Sequence, residues 1–278
     1  MIRVGGVYVK VEHFPDGTPR INLNPNDIKK QYDGVHYILV DWFYENDSEL
    51  FYLMLVKRHL ERYFTNVNYY LYMPYIPNAR MDRTKHENEV FTLKYFCDFI
   101  NSLNFHNVYV LDPHSDVSTA LLNNCVCESP KEYIDRVIAD ISADIEDDTE
   151  LVLYFPDAGA SKRYASMFPK YKYIYGNKVR TWETGEIVGT EIVNPFNVKL
   201  KNKTILIIDD ICSKGTTFIK SAEALQPYKV KNIYLWVTHC EDTIYQGLIP
   251  DSDLINGVYT TNSIHTGDHY KIDTFYLN

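Results

Sequence analysis

The densest chemistry in the sequence lies between residues 204 and 217. A short apolar run, Thr204-Ile205-Leu206-Ile207-Ile208, ends in two adjacent acids, Asp209 and Asp210. The chain then passes through Ile211 and Cys212 into Ser213-Lys214-Gly215-Thr216-Thr217. A wholly apolar run of this length is what a parallel strand covered on both faces requires. Ligands of open α/β sheets gather beyond the carboxyl ends of such strands. A loop that opens a helix presents backbone N–H groups and the positive end of the helix dipole, which suits a phosphate. The paired carboxylates would repel that phosphate, but they can accept hydrogen bonds from sugar hydroxyls or hold Mg²⁺ through water.

Four further groups of residues carry usable chemistry. His114 and Asp157 each follow a strand-like run and a proline, so both are expected at strand carboxyl ends. A His and a carboxylate can share a Mg²⁺ that also binds polyphosphate oxygens. Arg80 and Arg83, after Pro77-Asn78, offer planar forks for phosphate oxygens. Phe14 and Asp16 lie at a predicted hairpin tip, where one could stack on a purine and the other hydrogen-bond it. Lys178 and Arg180 belong to a polar stretch, GNKVRTWETGE, between two strand-like segments. Such a basic flap could close over phosphates and supply positive charge to a phosphoryl-transfer transition state.

These residues need a scaffold that brings strand ends together, and the sequence reads as one. The chain has 278 residues, which predicts roughly two domains at about 150 residues each. Ile2 to Val11 alternates, meets the turn Pro15-Asp16-Gly17 and continues as Arg20–Leu23, which reads as a β-hairpin. Val35–Trp42, Val67–Met73 and Asn107–Leu111 read as strands, with helices over Ser48–Tyr63, Glu89–Leu103 and Asp116–Asn123. The alternation then repeats. Helices are expected over Pro130–Ile145, Ser161–Phe168 and Thr216–Leu225, and strands over Leu151–Phe155, Tyr171–Tyr175, Thr204–Ile208 and Asn232–Val237. Alternating strands and helices imply parallel sheets with right-handed crossovers. The expected fold is α/β, with a domain over residues 1–128 and a second over 129–278.

Composition excludes several classes. The net charge is −9, from 28 Lys and Arg against 37 Asp and Glu, with no basic tail, so a nucleic-acid binder is not expected. No apolar run approaches the ~18 residues of a membrane span, and the alternating start is not a signal peptide. Five cysteines, an odd number in a chain able to build its own core, read as reduced thiols in a cytoplasmic protein. The 24 tyrosines are expected mostly in the core and on half-buried strands.

The segment over residues 204–217 resembles the phosphoribosyl-pyrophosphate loop of type I phosphoribosyltransferases and ribose-phosphate diphosphokinases. Four other segments are similar to the diphosphokinases alone: Phe14-Pro15-Asp16-Gly17, Ala79-Arg80-Met81-Asp82-Arg83, Asp112-Pro113-His114, and Phe155-Pro156-Asp157-Ala158-Gly159-Ala160-Ser161-Lys162-Arg163. Asn177-Lys178-Val179-Arg180 lies where that family has a mobile basic loop. The resemblance implies two tandem phosphoribosyltransferase-like (type I) domains, each a mainly parallel sheet flanked by helices. The first domain would take ATP and the second the ribose phosphate. It implies that the anomeric hydroxyl of a ribose phosphate attacks the β-phosphorus of MgATP, releasing AMP. On that reading Phe14, Asp16, Arg80, Asp82, Arg83 and His114 bind ATP, and His114 with Asp157 holds Mg²⁺. Asp209 and Asp210 orient the ribose hydroxyls, and Ser213, Lys214, Gly215, Thr216 and Thr217 grip its phosphate. Lys178 and Arg180 are catalytic. The family's hairpin completes a neighbouring subunit's site, which implies a homo-oligomer, a dimer or a hexamer.

The chain also departs from the family. The usual opening strand and helix are missing, Thr18 stands where an acid is usual, Met81 replaces a glutamine, and Val179 replaces an arginine. The phosphate loop loses an acid and gains Lys214. Either it holds ribose 5-phosphate with an added lysine, or it accommodates a larger phosphorylated ribose. ADP-ribose is one such acceptor, and its 1-diphosphate would serve NAD synthesis or salvage. A phosphoribosyltransferase would need a nucleobase hood and no second polyphosphate site. A silent regulatory homologue would lack the flap lysine or the acid pair.

Overall fold

Two glycines decide how the chain begins. Gly5 and Gly6 both take positive φ, +55° and +77°, which is what a two-residue hairpin turn matched to strand twist demands. They split the expected first strand into β1 (Ile2–Val4) and β2 (Val7–Tyr8), paired antiparallel. The Pro15-Asp16-Gly17 turn instead joins β3 (Lys10–His13) to β4 (Pro19–Asn22) as a separate two-stranded sheet. The single predicted hairpin is therefore two. The computed structural model describes residues 1–32, 36–143, 145, 151–180 and 187–277. It divides into two compact units, Met1–Ser129 and Pro130–Asn278.

In the first unit, α1 (Pro25–Gln31) carries proline in its first turn behind an Asn24 cap. After it come β5 (Tyr37–Trp42), α2 (Ser48–Tyr63), β6 (Asn68–Tyr72), α3 (Thr92–Ser102), β7 (Asn107–Leu111), α4 (Asp116–Leu121) and β8 (Cys125–Glu128). The sheet order is β2-β1-β5-β6-β7-β8, and β5 to β8 run parallel. Alternate side chains on these strands do different jobs. Ile38, Val40, Trp42, Leu71 and Val108 are buried with Leu53 and Leu60 of α2 and Phe96 of α3. The intervening positions carry tyrosines: Tyr37, Tyr70 and Tyr109 form a ladder with ring centroids 5.9 and 6.2 Å apart. Half-buried strand positions thus absorb part of the tyrosine excess.

The second unit holds α5 (Lys131–Ala143), β9 (Leu151–Phe155), α6 (Ala158–Tyr164), β10 (Tyr173–Arg180), β11 (Ile187–Val193), β12 (Thr204–Cys212), α7 (Thr216–Leu225), β13 (Asn232–Cys240), β14 (Gly257–Thr261) and β15 (Ile272–Phe275). Its seven-stranded sheet has the order β11-β10-β9-β12-β13-β14-β15. All neighbours are parallel except the edge pair β10–β11. Both faces are covered, which explains the unbroken apolar runs. On one side Ile205, Ile207, Val152 and Leu235 pack with Phe218, Ala222 and Leu225 of α7. On the other, Leu206, Ile208, Leu153 and Trp236 pack with Ile134, Val137, Ile138 and Ile141 of α5 and Tyr164 of α6. The α5 spacing of three, four and seven residues is that of one helical stripe.

Among the described residues no helix is long and apolar enough to cross a membrane. Ile207 is fully buried at the centre of this sheet. Ile207→Ala should destabilise the protein by about 2–5 kcal/mol through lost burial and the cavity left behind, measurable as a lower denaturant midpoint.

Candidate active site

Strand ends position the candidate residues in each unit. In the first unit, the Ala79–Arg83 turn follows β6, and Asp112-Pro113-His114 follows β7. The two connections are stitched together by backbone bonds: Met73 N–H donates to Tyr109 O (2.9 Å) and Leu111 N–H to Pro74 O (3.0 Å). Both leave the same carboxyl edge of the sheet. Asn78 takes φ +63° and Asp112 φ +44°, so each loop turns through a left-handed residue, the conformation Asn and Asp tolerate best after Gly. Arg80 and Arg83 are exposed, Asp82 is half-buried, and Arg83 Nε lies 3.9 Å from Asp82 Oδ1. The β3–β4 hairpin rests on α2 through His13 Nε2 and Tyr52 OH, 2.8 Å apart. At its tip Phe14 is exposed. The Asp16 carboxylate accepts from Thr18 Oγ1 (2.7 Å) and Thr18 N–H (3.0 Å). These bonds, the hydroxyl first, hold its carboxyl below the usual range. Thr18, which stands where the resemblance predicts an acid, therefore fixes the Asp16 side chain.

In the second unit the acids converge. Asp157, after β9, caps α6 by accepting from Ala160 N–H at 3.0 Å. Asp209 and Asp210 are the sixth and seventh residues of β12. Asp210 is 4% exposed, and its Oδ2 lies 3.1 Å from Arg163 Nη1 of α6. Its backbone N–H donates to Asp209 Oδ1 at 3.0 Å. Burial pushes the Asp209 carboxyl well above the ordinary carboxylate range, and the charges of Asp210 and Asp157 push the same way. Arg163 is a residue beside the acids that sequence reasoning did not place there. It is present in the PDAGASKR segment, but nothing in the linear order pairs it with an acid forty-seven positions on.

The phosphate-type loop is shaped from behind. Gly215 takes φ +74° and caps α7. Its carbonyl accepts from Phe218 and Ile219 N–H, at 3.0 and 3.1 Å. A Cβ there would lie 2.2 Å from Ile249 Cδ1. A Cβ on Gly247 would lie 1.9 Å from Lys214 O, so only glycine lets the two backbones approach. Ser213 Oγ lies 2.9 Å from Thr243 Oγ1, which donates to Glu241 Oε2 at 3.1 Å. Lys214, Thr216 and Thr217 are exposed, and the first turn of α7 contains no acid. Its leading N–H groups have no intrahelical partner. That end of α7 has the backbone geometry and charge that suit an anion.

Lys178 and Arg180 fall on β10, with backbones paired to Thr190 and Ile187 of β11. Their side chains, and residues 181–186 of the expected flap, lie outside the described residues. Gly176 carries β10 past the end of β9. A Cβ at that position would be 2.7 Å from Pro156 O and 2.6 Å from Tyr154 OH.

Among the described residues there is no group of three or more His, Cys, Asp or Glu able to hold a metal ion. The donor chemistry nonetheless suits Mg²⁺. The acids offer hard oxygens, and a capping carboxylate keeps acceptor capacity beyond its one helix bond. A cation would also relieve the crowding that raises Asp209.

A doubly covered parallel sheet, an acid-ended central strand and a glycine-capped helix behind it make a phosphoribosyltransferase-type fold. Residues 134–259 match the phosphoribosyl transferase domain. The ribose-phosphate pyrophosphokinase of Thermococcus kodakarensis is 26% identical over 262 residues, 93% of this chain and 86% of that protein. That of Sulfurisphaera tokodaii is 26% identical over 262 residues, 92% of this chain and 85% of that protein. The fold is shared with the phosphoribosylpyrophosphate synthetase from Mycobacterium smegmatis, with a TM-score of 0.73 and 16% identity over 97% of this chain and 86% of that one. The chain is therefore similar to ribose-phosphate pyrophosphokinases over most of its length and shares their fold.

The electrostatics of Asp209 give a test. An acid whose folded pKa is raised loses stability as pH climbs from its unfolded value toward the folded one, because the unfolded chain ionises first. Asp209→Asn should therefore raise the melting temperature at pH 7, by ~2–4 °C for each kcal/mol of relieved charge. The gain should shrink toward pH 4 and be absent once both states hold the proton.

Proposed function

We propose that this protein is a ribose-phosphate pyrophosphokinase, which transfers the diphosphoryl group of MgATP to the anomeric hydroxyl of ribose 5-phosphate. The bond from the α-phosphorus bridging oxygen to the β-phosphorus breaks, and the bond from the sugar oxygen to the β-phosphorus forms. AMP leaves, and the hydroxyl proton is released. The product is an activated ribose for nucleotide synthesis. The observation that carries this reading is the relationship to ribose-phosphate pyrophosphokinases over more than nine-tenths of the chain.

Each group has a physical task. Arg80 and Arg83 grip the triphosphate oxygens, with Asp82 orienting Arg83, and Phe14 and Asp16 receive the adenine. His114 of the first unit and Asp157 of the second would each offer a donor to Mg²⁺, which would supply neutralising charge for the polyphosphate. Asp209 and Asp210 accept hydrogen bonds from the ribose hydroxyls, and Arg163 holds Asp210 in place. The N–H groups and hydroxyls of Ser213–Thr217, with Lys214, take the 5-phosphate. Lys178 and Arg180 stabilise charge on the transferring group, where positioned cations do most of the work of phosphoryl transfer.

A second acceptor is favoured by one feature of the surface. The loop gains Lys214, and the segment that supports it carries Leu248, 64% exposed, and Tyr245, 36% exposed. An apolar and aromatic patch beside a phosphate loop suits an acceptor that continues beyond its phosphate, as ADP-ribose does. Its product would be ADP-ribose 1-diphosphate, a precursor for NAD synthesis.

AMP release from ATP with ribose 5-phosphate, and separately with ADP-ribose, decides between the acceptors, with product mass as confirmation. Release with neither sugar would overturn both. Lys178→Ala should lower kcat by about 10²-fold or more, in the range lost on removing one transition-state donor, while KM for either substrate changes less than about threefold. An unchanged kcat would remove Lys178 from the mechanism.

A further inference from the structure

The wall behind the phosphate-type loop is not part of the sheet. Residues 241–249 leave the end of β13 as a 3₁₀ turn, Asp242–Gln246, and a loop. This segment meets the Ser213–Thr217 loop through Thr243 on Ser213, Gly247 against Lys214 and Ile249 beside Gly215. A wall outside the strand ladder needs another anchor if the loop is to keep one shape.

That anchor is the connection between β14 and β15. Ser263 there is fully buried, with its Oγ 2.8 Å from His239 Nδ1 of β13. Two residues on, the His265 side chain is 1% exposed and meets the 3₁₀ turn. Its Nδ1 lies 3.0 Å from Asp242 Oδ1, and its Nε2 lies 3.2 Å from Tyr245 OH. The Cys240 thiol at the end of β13 also shares a hydrogen bond with the imidazole. Asp242 Oδ1 accepts from Thr266 N–H (3.1 Å) and Gly267 N–H (3.3 Å), and its Oδ2 accepts from Thr266 Oγ1. Gly267 gives the Tyr245 ring its place, since a Cβ there would fall 2.4 Å from that ring. Polar groups so enclosed hold one geometry, because breaking a bond leaves an unsolvated donor or acceptor.

We propose that His265 is a positioning residue for phosphate binding: it clasps residues 241–249 to the β14–β15 connection and so sets the Ser213–Thr217 loop in its anion-receiving shape. The inference rests on the reading of that loop as the ribose-phosphate site. The clasp also carries a charge that titrates. Burial pushes the imidazole down, but Cys240 and Asp242 outweigh it and hold its pKa above the ordinary histidine value. Burial likewise opposes ionisation of Asp242, but the Thr266 bonds outweigh it and keep that carboxyl low. The Cys212 hydrogen bond, and then burial, push the Cys240 thiol well up. Burial, and then the charges of Asp242, Cys240 and Asp268, push Tyr245 up, and His269 faces its ring at 6.1 Å. Of the groups in contact with Asp242, His265 is therefore the one that exchanges a proton in the neutral range. A histidine with a raised pKa contributes its pairing below the unfolded value and loses it as pH climbs through the folded one. The clasp is tightest on the acid side.

Hydrogen exchange of the full chain, read by mass spectrometry, tests the coupling without a ligand. His265→Ala should speed exchange, corrected for intrinsic rates, by about tenfold or more in peptides covering 241–249 and 213–219, the factor a lost charged hydrogen bond produces. Residues 204–208 of β12 should keep wild-type protection. Gly267→Ala reaches the same wall by displacing the Tyr245 ring, and it should loosen the same two peptides. In the wild type, protection of both should fall between about pH 6 and pH 9, and in His265→Ala that slope should vanish. Both variants should raise KM for ribose 5-phosphate by about fivefold or more, with kcat and KM for ATP within about twofold. Loosening confined to 241–249, or equal pH slopes in wild type and His265→Ala, would overturn the clasp. Lost protection over 204–208 in His265→Ala would mark general unfolding, and Gly267→Ala then decides alone. A wild type that releases no AMP would sink the transfer reading, while the exchange comparison still decides this one.

Discussion

Two adjacent carboxylates, Asp210 buried and Asp209 half-buried, at the end of a strand covered on both faces are the constraint around which the second unit is organised. Water cannot solvate Asp210 there, so protein groups must. Arg163 meets it from α6, and the backbone N–H of Asp210 itself is spent on Asp209. An unpaired buried carboxylate costs several kcal/mol, and removing one partner of such a pair leaves that cost behind. Burial first, and the charges of Asp210 and Asp157 after it, raise the pKa of Asp209. The site stores its affinity for donors and cations as a local instability of the empty fold. Strained electrostatics of this kind are characteristic of functional positions.

The loop beyond the acids follows a different logic, that of close backbone approach. A phosphate-binding helix start needs a tight turn whose N–H groups face outward, and Gly215 provides the left-handed residue that makes it. Such a turn would wander without support. Ile249 fills the space a side chain on Gly215 would occupy, and Gly247 brings a second backbone onto the carbonyl of Lys214. Ser213 is tied through Thr243 to Glu241. These supports come from the stretch after β13, so the sheet register that aligns β12 with β13 also sets the loop.

That distinction marks what could be read from the sequence. The apolar runs of β9 and β12 and the acids ending β12 are legible because a doubly covered strand imposes an unbroken local pattern. The stripe of α5 is legible for the same reason. The edge strands β8 and β15, and β14 beside the latter, are short and half polar, and their pairing is decided by neighbours rather than by their own residues. Gly5-Gly6 was a readable turn signal that the alternation around it obscured, and α1, with its Asn24 cap and Pro25, was another missed local cue. The Arg163–Asp210 pair and the layer behind the loop were not readable at all. They join residues about thirty to fifty positions apart, with no spacing rule to announce them.

The charge balance of the second unit also constrains how a sugar phosphate could be handled. A ribose phosphate would bring about two negative charges to a neighbourhood whose described residues include Asp157, Asp209 and Asp210 with Arg163. Lys214 offsets one charge at the phosphate end, where the helix dipole contributes about half a charge more. The hydroxyl end gains nothing from either, because both lie beyond the acids. β10 is the strand that adjoins β9 and its Asp157 end. Gly176 brings its backbone tight against Pro156 at the end of β9, and its next residues include Lys178 and Arg180. Both lie on the antiparallel edge pair with β11, beyond the point where β9 ends.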